Sequence, residues 1–262
     1  MRTALLALAV LCLAPLARAQ ESTTVPSAEA APVQRTLLYV DEARVPAPMQ
    51  VATLSRVTVA SGGAGFTRPF AANTASPGLS TELGGEIGLL PRLSLVASGV
   101  LGESPTHAGA VGALAGARLS ILPSAWTSTH AVVSAGYLRE LSSASGAWAR
   151  VTASQDFGRA RLASMVHAEH VFAAKRDGVD VMVSAGANVR VVDTLRLGAE
   201  YVAQDIEGAF DAEEVEGMRH FACGTATIAL LRERLTLGVG PAFGLSPNAP
   251  RVLGRAQVGW SF

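Results

Sequence analysis

The stretch VDVMVSAGANVRVV, residues 179–192, alternates without a break. Val179, Val181, Val183, Ala185, Ala187, Val189 and Val191 share one parity. Asp180, Met182, Ser184, Gly186, Asn188 and Arg190 share the other. A period of two belongs to a β-strand whose two faces meet different surroundings. The pattern recurs in LRLGAEYVAQ (195–204), LTLGVGPAFGLS (235–246) and RVLGRAQVGWSF (251–262). Similar alternation runs through about 49–61, 79–90, 92–102, 108–121, 129–141, 147–157, 160–172 and 219–231. Twelve segments of this kind leave almost no room for any other element type.

The surroundings follow from what each face carries. One face is Leu, Val and Ala over five to seven positions in several successive segments. The opposite face holds Glu82, Glu86, Arg118, Arg150, Asp180, Arg190, Arg196, Glu200 and Arg255, interleaved with Gly and Ser. Lipid outside and a polar lumen inside produce this division. Hydrophobic residues make up 49% of the chain, yet its longest apolar stretches after the N-terminus are too short and too interrupted for a spanning helix. A hydrophobic exported chain without such a helix is a closed transmembrane barrel or a secreted β-domain. Closure satisfies every backbone group in the hydrocarbon. The reading is therefore all-β: an antiparallel up-and-down transmembrane β-barrel of about twelve strands, with ten to twelve plausible. The connections support it. Short turns near 91, 158–159, 193–194 and 232–234 alternate with longer loops, including 62–78 and 206–218, which places both termini on the short-turn side. A β-sandwich binding module, secreted or periplasmic, is the competing fold.

The first residues read differently. Arg2, the apolar run ALLALAVLCLAPLA and the small-residue site at Ala17–Ala19 describe a secretory signal peptide over 1–19. Cys12 lies inside that run, so Cys223 is the one cysteine expected in the mature chain, and one cysteine makes no internal disulfide. Residues 20–48 are expected to be a flexible periplasmic segment ahead of a barrel at 49–262, because ESTTVPSAEAAPV is rich in Ser, Thr, Ala and Pro. For the following RTLLYVDEARVPAP three readings stand open: a small periplasmic strand, a plug segment, or nothing ordered.

The last dozen residues carry the sharpest signal. Val258, Trp260 and Phe262 share a parity and the chain stops on the aromatic. This resembles the terminal assembly signal of Gram-negative outer-membrane β-barrels. The resemblance implies residence in the outer membrane, contact with its lipid, and insertion by the barrel assembly machinery. It points to a superfamily and to no particular member. One departure is the aromatic content of 5%, which allows only a sparse interfacial girdle.

Candidate chemistry is thin. HAEH, His167 to His170, suggests a metal pair, but positions three apart on a strand face opposite sides. Ser164 and His170 share a parity and raise the reading of a lipid-hydrolysing barrel enzyme, yet six strand residues hold them roughly 20 Å apart. The acidic loop QDIEGAFDAEEVEGM lacks calcium-loop spacing. No cofactor motif is present. A net charge of zero, from 21 basic and 21 acidic residues, leaves no footprint for nucleic acid. The lumen charges are expected to pair largely with one another, with at most small-solute passage. The functional expectation is an integral outer-membrane barrel, structural or surface-exposed, or a narrow passive pore, without enzymatic activity.

Overall fold

A computed structural model describes residues 35–61, 78–104, 107–122, 128–140, 144–172, 179–204, 206, 218–247 and 249–262. Among the described residues there are twelve strands: β1 Val51–Ser61, β2 Gly78–Leu90, β3 Leu93–Ser104, β4 His107–Ser120, β5 Thr129–Glu140, β6 Ser145–Phe157, β7 Ala160–Val171, β8 Asp180–Arg190, β9 Leu195–Gln204, β10 Arg219–Leu230, β11 Leu235–Gly244 and β12 Val252–Ser261. Each pairs antiparallel with its neighbour in sequence, and β12 returns to β1 to close the barrel. The closing register runs from Ala52 opposite Ser261 to Ser61 opposite Val252. This closure excludes the sandwich. It leaves no edge strand with unpaired backbone groups, which is the condition for a sheet to sit in hydrocarbon.

The two parities behave as the alternation requires. In β12 the residues Leu253, Arg255, Gln257 and Ser261 are buried, whereas Val252, Val258 and Trp260 are exposed. Among the strand residues whose burial is described, the outward parity is mostly Leu, Val, Ala, small polar residues and scattered aromatics, with Arg139 at the loop end of β5 as its one Asp, Glu, Lys or Arg side chain. A charge placed on this face at mid-height should be costly. Val239, 58% exposed at the centre of β11, is the position to use. Val239→Arg is expected to lower folding stability in lipid vesicles by about 2–4 kcal/mol, measured by urea titration, whereas Val239→Leu should be near neutral.

Short turns lie at one end. That between β10 and β11 is unusual: Leu231, Arg232 and Glu233 all have positive φ, at 52°, 56° and 70°. Non-glycine residues pay for this region because Cβ crowds the following carbonyl. Arg232→Gly should therefore stabilise the barrel by about 1 kcal/mol, read by the same urea titration. Both ends of the barrel wall also meet at the short-turn mouth, where the amide of Phe262 donates to the carbonyl of Val51 at 2.8 Å.

The lumen has two levels. Toward the long-loop end the inward side chains are mostly apolar, with Val100, Leu138, Trp148, Val202, Phe221 and Leu253 buried there. The middle and the short-turn end hold most of the charges, while Asp180, Glu169 and Arg219 lie toward the long-loop end. This apolar upper level was not expected from the sequence, which led to a polar inward face throughout. Cys223 is free and buried among the apolar group.

Candidate functional site

The lumen is occupied by the chain itself. Residues 35–48, RTLLYVDEARVPAP, are tucked inside the barrel, so this part of the 20–48 segment departs from the flexible periplasmic tail expected for it. It takes the plug arrangement among the three readings left open. Residues 1–34, and with them the signal peptide, lie outside the described residues. The physical reason for the plug is visible in the sequence once the barrel is known. Leu37, Leu38, Tyr39 and Val40 are an apolar cluster without a sheet of their own, and they are 0–4% exposed in the lumen.

The chain turns into the lumen at the foot of β1. The Ala47 amide donates to the Gln50 side chain at 3.1 Å, and the Gln50 amide to the Ala47 carbonyl at 2.9 Å. Met49 takes a left-handed φ of 64° in this turn. The turn packs against Gly88 of β2, where an added Cβ would meet the Ala47 carbonyl at 2.0 Å. Gly88 is thus a close-approach glycine. Gly88→Val is expected to prevent the turn from seating and to expose 35–48 to limited proteolysis while the barrel persists, as read by heat-modifiable migration on a denaturing gel.

From the turn the segment rises to mid-height and comes back. Its middle is held by β9 and β12. The Glu200 carboxylate accepts from the amides of Leu38, Tyr39 and Val40 at 2.6, 2.7 and 3.0 Å. Arg255 donates to the Leu38 carbonyl at 3.0 Å and to the Thr58 hydroxyl at 3.0 Å, and its guanidinium lies 3.9 Å over the Tyr39 ring. Lower down, Gln257 donates to the carbonyls of Leu37 and Arg35 at 2.9 and 3.3 Å. Asn188 donates to the Thr36 hydroxyl at 3.1 Å, and Thr227 to the Thr36 carbonyl at 3.2 Å. An irregular backbone is tolerated inside a barrel only when its polar groups find partners, and these wall residues supply them.

The acids of the segment face β1, β4, β6 and β7. Asp41 contacts Arg150 of β6 and lies 3.7 Å from Arg56 of β1. Glu42 contacts Arg161 of β7 through its carboxylate, and its carbonyl accepts from Arg118 of β4. Wall pairs complete the network. Arg56 meets Glu82 at 2.8 Å, Arg118 meets Glu86, and Arg150 donates to His167 at 3.2 Å. At the mouth Arg44 meets Asp156 at 2.9 Å. A cavity of about 30 Å³ remains beside Asp41, between Arg118, Arg150, Trp148 and the glycines Gly84 and Gly85. That is room for a water-sized group.

The residues singled out in the sequence separate by role. Glu200, Arg255 and Arg118 hold the main chain of the segment, while Arg150 meets its Asp41. Glu82 and Glu86 pair with wall arginines. Arg190 and Arg196 are register partners, half-buried at the short-turn mouth, and Asp180 is half-buried at the long-loop end of β8. His167 is buried and meets Glu169 at 2.5 Å, whereas His170 is exposed beside Phe172. The two histidines of HAEH thus face opposite sides. Among the described residues no group of three or more His, Cys, Asp or Glu gathers to hold a metal. The acidic residues of the 205–217 loop lie outside the described residues. Arg56, Arg161, Asn188 and Thr227 were missed. Each lies on an inward parity, and that parity was the one available signal.

No known family profile matches the chain, and no curated protein does. Solved structures match well. An outer membrane channel from Pseudomonas putida F1 superposes with a TM-score of 0.56 at 11% identity, over 92% of this chain and 100% of that one. A NanC porin gives 0.55 at 8% identity over 80% and 98%. A KdgM porin gives 0.53 at 8% identity over 80% and 99%. The likeness at these identities is one of fold, a closed antiparallel β-barrel.

Proposed function

We propose that this protein is an outer-membrane channel for small solutes, held closed by its own segment 35–48. One observation carries the reading. The lumen is filled by a segment that is continuous with the wall only at the 47–50 turn and is otherwise docked through hydrogen bonds and ion pairs. A twelve-strand barrel is wider than one that its own side chains fill. Here the filling belongs to a tethered element that is free to leave without breaking a strand pairing. The neighbours in fold are named as a channel and porins, which supports the same reading. Non-enzymatic function fits the exposed wall: Ser164 and His170 lie six residue steps apart on one strand, roughly 20 Å.

The outer-membrane location rests on the fold and on the outward apolar face. Insertion by the barrel assembly machinery rests on the C-terminal strand, where the tilted rings of Trp260 and Phe262 lie outward with centroids 5.8 Å apart. Heat-modifiable migration of protein from an outer-membrane fraction tests the location. A soluble periplasmic protein with unchanged migration would contradict it. The channel itself is tested in planar bilayers. The full chain should be closed or only briefly conducting, and the Glu200→Ala variant should conduct steadily.

A further inference from the structure

Resting on the channel reading, we propose that the arginines facing Asp41 and Glu42 form a binding site for small dicarboxylates, which those two acids occupy in the closed state. Arg56, Arg118, Arg150 and Arg161 come from four different strands and converge on two consecutive residues of the segment. Their side chains are 5–13% exposed. Charges held this far from water need partners. The wall supplies some of them: Glu82 for Arg56, Glu86 for Arg118, and Asp156 at 3.6 Å from Arg161. To Arg150 it gives a nitrogen of His167, behind which lies the Glu169 carboxylate. The remaining contacts come from the segment.

Removal of the segment therefore uncovers four arginines beside their wall acids, with two carboxylate positions already set, one between Arg56 and Arg150 and one at Arg161. The planar guanidinium fork matches carboxylate oxygens in geometry as well as charge. The cavity beside Asp41, backed by Gly84 and Gly85, gives space beyond that of the two acid side chains. A solute carrying two carboxylates a few bonds apart satisfies both positions. In this arrangement the plug is a competitor for the solute, and binding of the solute favours the open state.

Two measurements on the full chain test this. The first is thermal unfolding in detergent of the Asp41→Asn, Glu42→Gln double variant. Succinate should raise its midpoint, the neutral diamide succinamide should not, and inorganic phosphate should act more weakly than succinate. The same titration on Glu200→Ala covers the case in which the double variant does not fold. Equal responses to succinate and succinamide would overturn the site, and a stronger response to phosphate would reassign it to phosphate-bearing solutes and overturn the dicarboxylate proposal. The second is the reversal potential of Glu200→Ala channels under a potassium chloride gradient. Anions should be favoured by roughly tenfold, the scale on which a charged constriction concentrates counter-ions, and Arg150→Gln with Arg161→Gln should remove the preference. Conducting channels that favour cations or neither ion would sink the anion site and leave the channel reading standing. A Glu200→Ala protein that stays closed would sink the channel reading, and the succinate titration would still decide the site.

Discussion

Replacing Glu200 by alanine should turn a closed barrel into one that conducts steadily. The carboxylate is the acceptor for three successive backbone amides of the segment, at 2.6, 2.7 and 3.0 Å. Hydrogen bonds to a charged group contribute about 1.5–3 kcal/mol each, and amides left without an acceptor cost more. Some of that loss is recovered by water entering the space. After that recovery a net shift of about 4 kcal/mol against docking is expected, just below the sum of three such bonds at the low end of the range, and it corresponds to about a thousandfold change in the ratio of docked to released segment. Glu200→Gln keeps one acceptor oxygen and the side-chain volume, so it should fall between wild type and alanine. Single-channel recording in planar bilayers reads the effect, with limited proteolysis of 35–48 as an independent report of release. The β9 ladder is untouched, so heat-modifiable migration should be unchanged. A closed Glu200→Ala barrel with an inaccessible segment would mean that 35–48 is permanent filling.

Removing Arg118 should have the largest effect on the barrel itself. Its guanidinium meets Glu86, whose side chain is 0% exposed and also accepts from Ser94 at 2.5 Å. The next cation is Arg35, at 4.0 Å. Arg118→Ala therefore leaves a buried carboxylate with one hydroxyl and a more distant charge, and one partner lost from a buried pair costs about 3–5 kcal/mol. The companion variant makes the physics separable. Replacing both Arg118 and Glu86 by alanine removes the orphaned charge and should recover much of that loss, because a buried pair gains little over its own desolvation. Urea unfolding in lipid vesicles across this cycle gives the coupling directly. A double variant as unstable as the sum of its singles would show that the pair is not coupled in the way the contact implies.

Much of the barrel was legible from one property of strands. Side chains alternate, so VDVMVSAGANVRVV and RVLGRAQVGWSF each declare two faces without reference to any other part of the chain. All twelve alternating segments correspond to strands, with ends that move by a few residues. The inward parity also located Glu200, Arg255, Arg118 and Arg150. Their partners were not legible. Arg161 meets Glu42 across 119 positions of sequence, and Gln257 meets Leu37 across 220. The upper apolar level of the lumen was hidden for a related reason. Leu253 and Phe221 face inward, and hydropathy alone does not tell an apolar side chain that touches lipid from one that touches a plug.

The segment RTLLYVDEARVPAP shows where the division lies. Its composition set out four adjacent apolar residues, then two acids, and left their destination open. Only the closed barrel provides a single place where Leu37 to Val40 leave water and where Asp41 and Glu42 meet arginines of β6 and β7. Strand formation is a local matter of alternation and backbone geometry, and the sequence determines it by itself. Occupancy of the lumen depends on groups brought together by closure between β1 and β12, and the tertiary structure alone decided it.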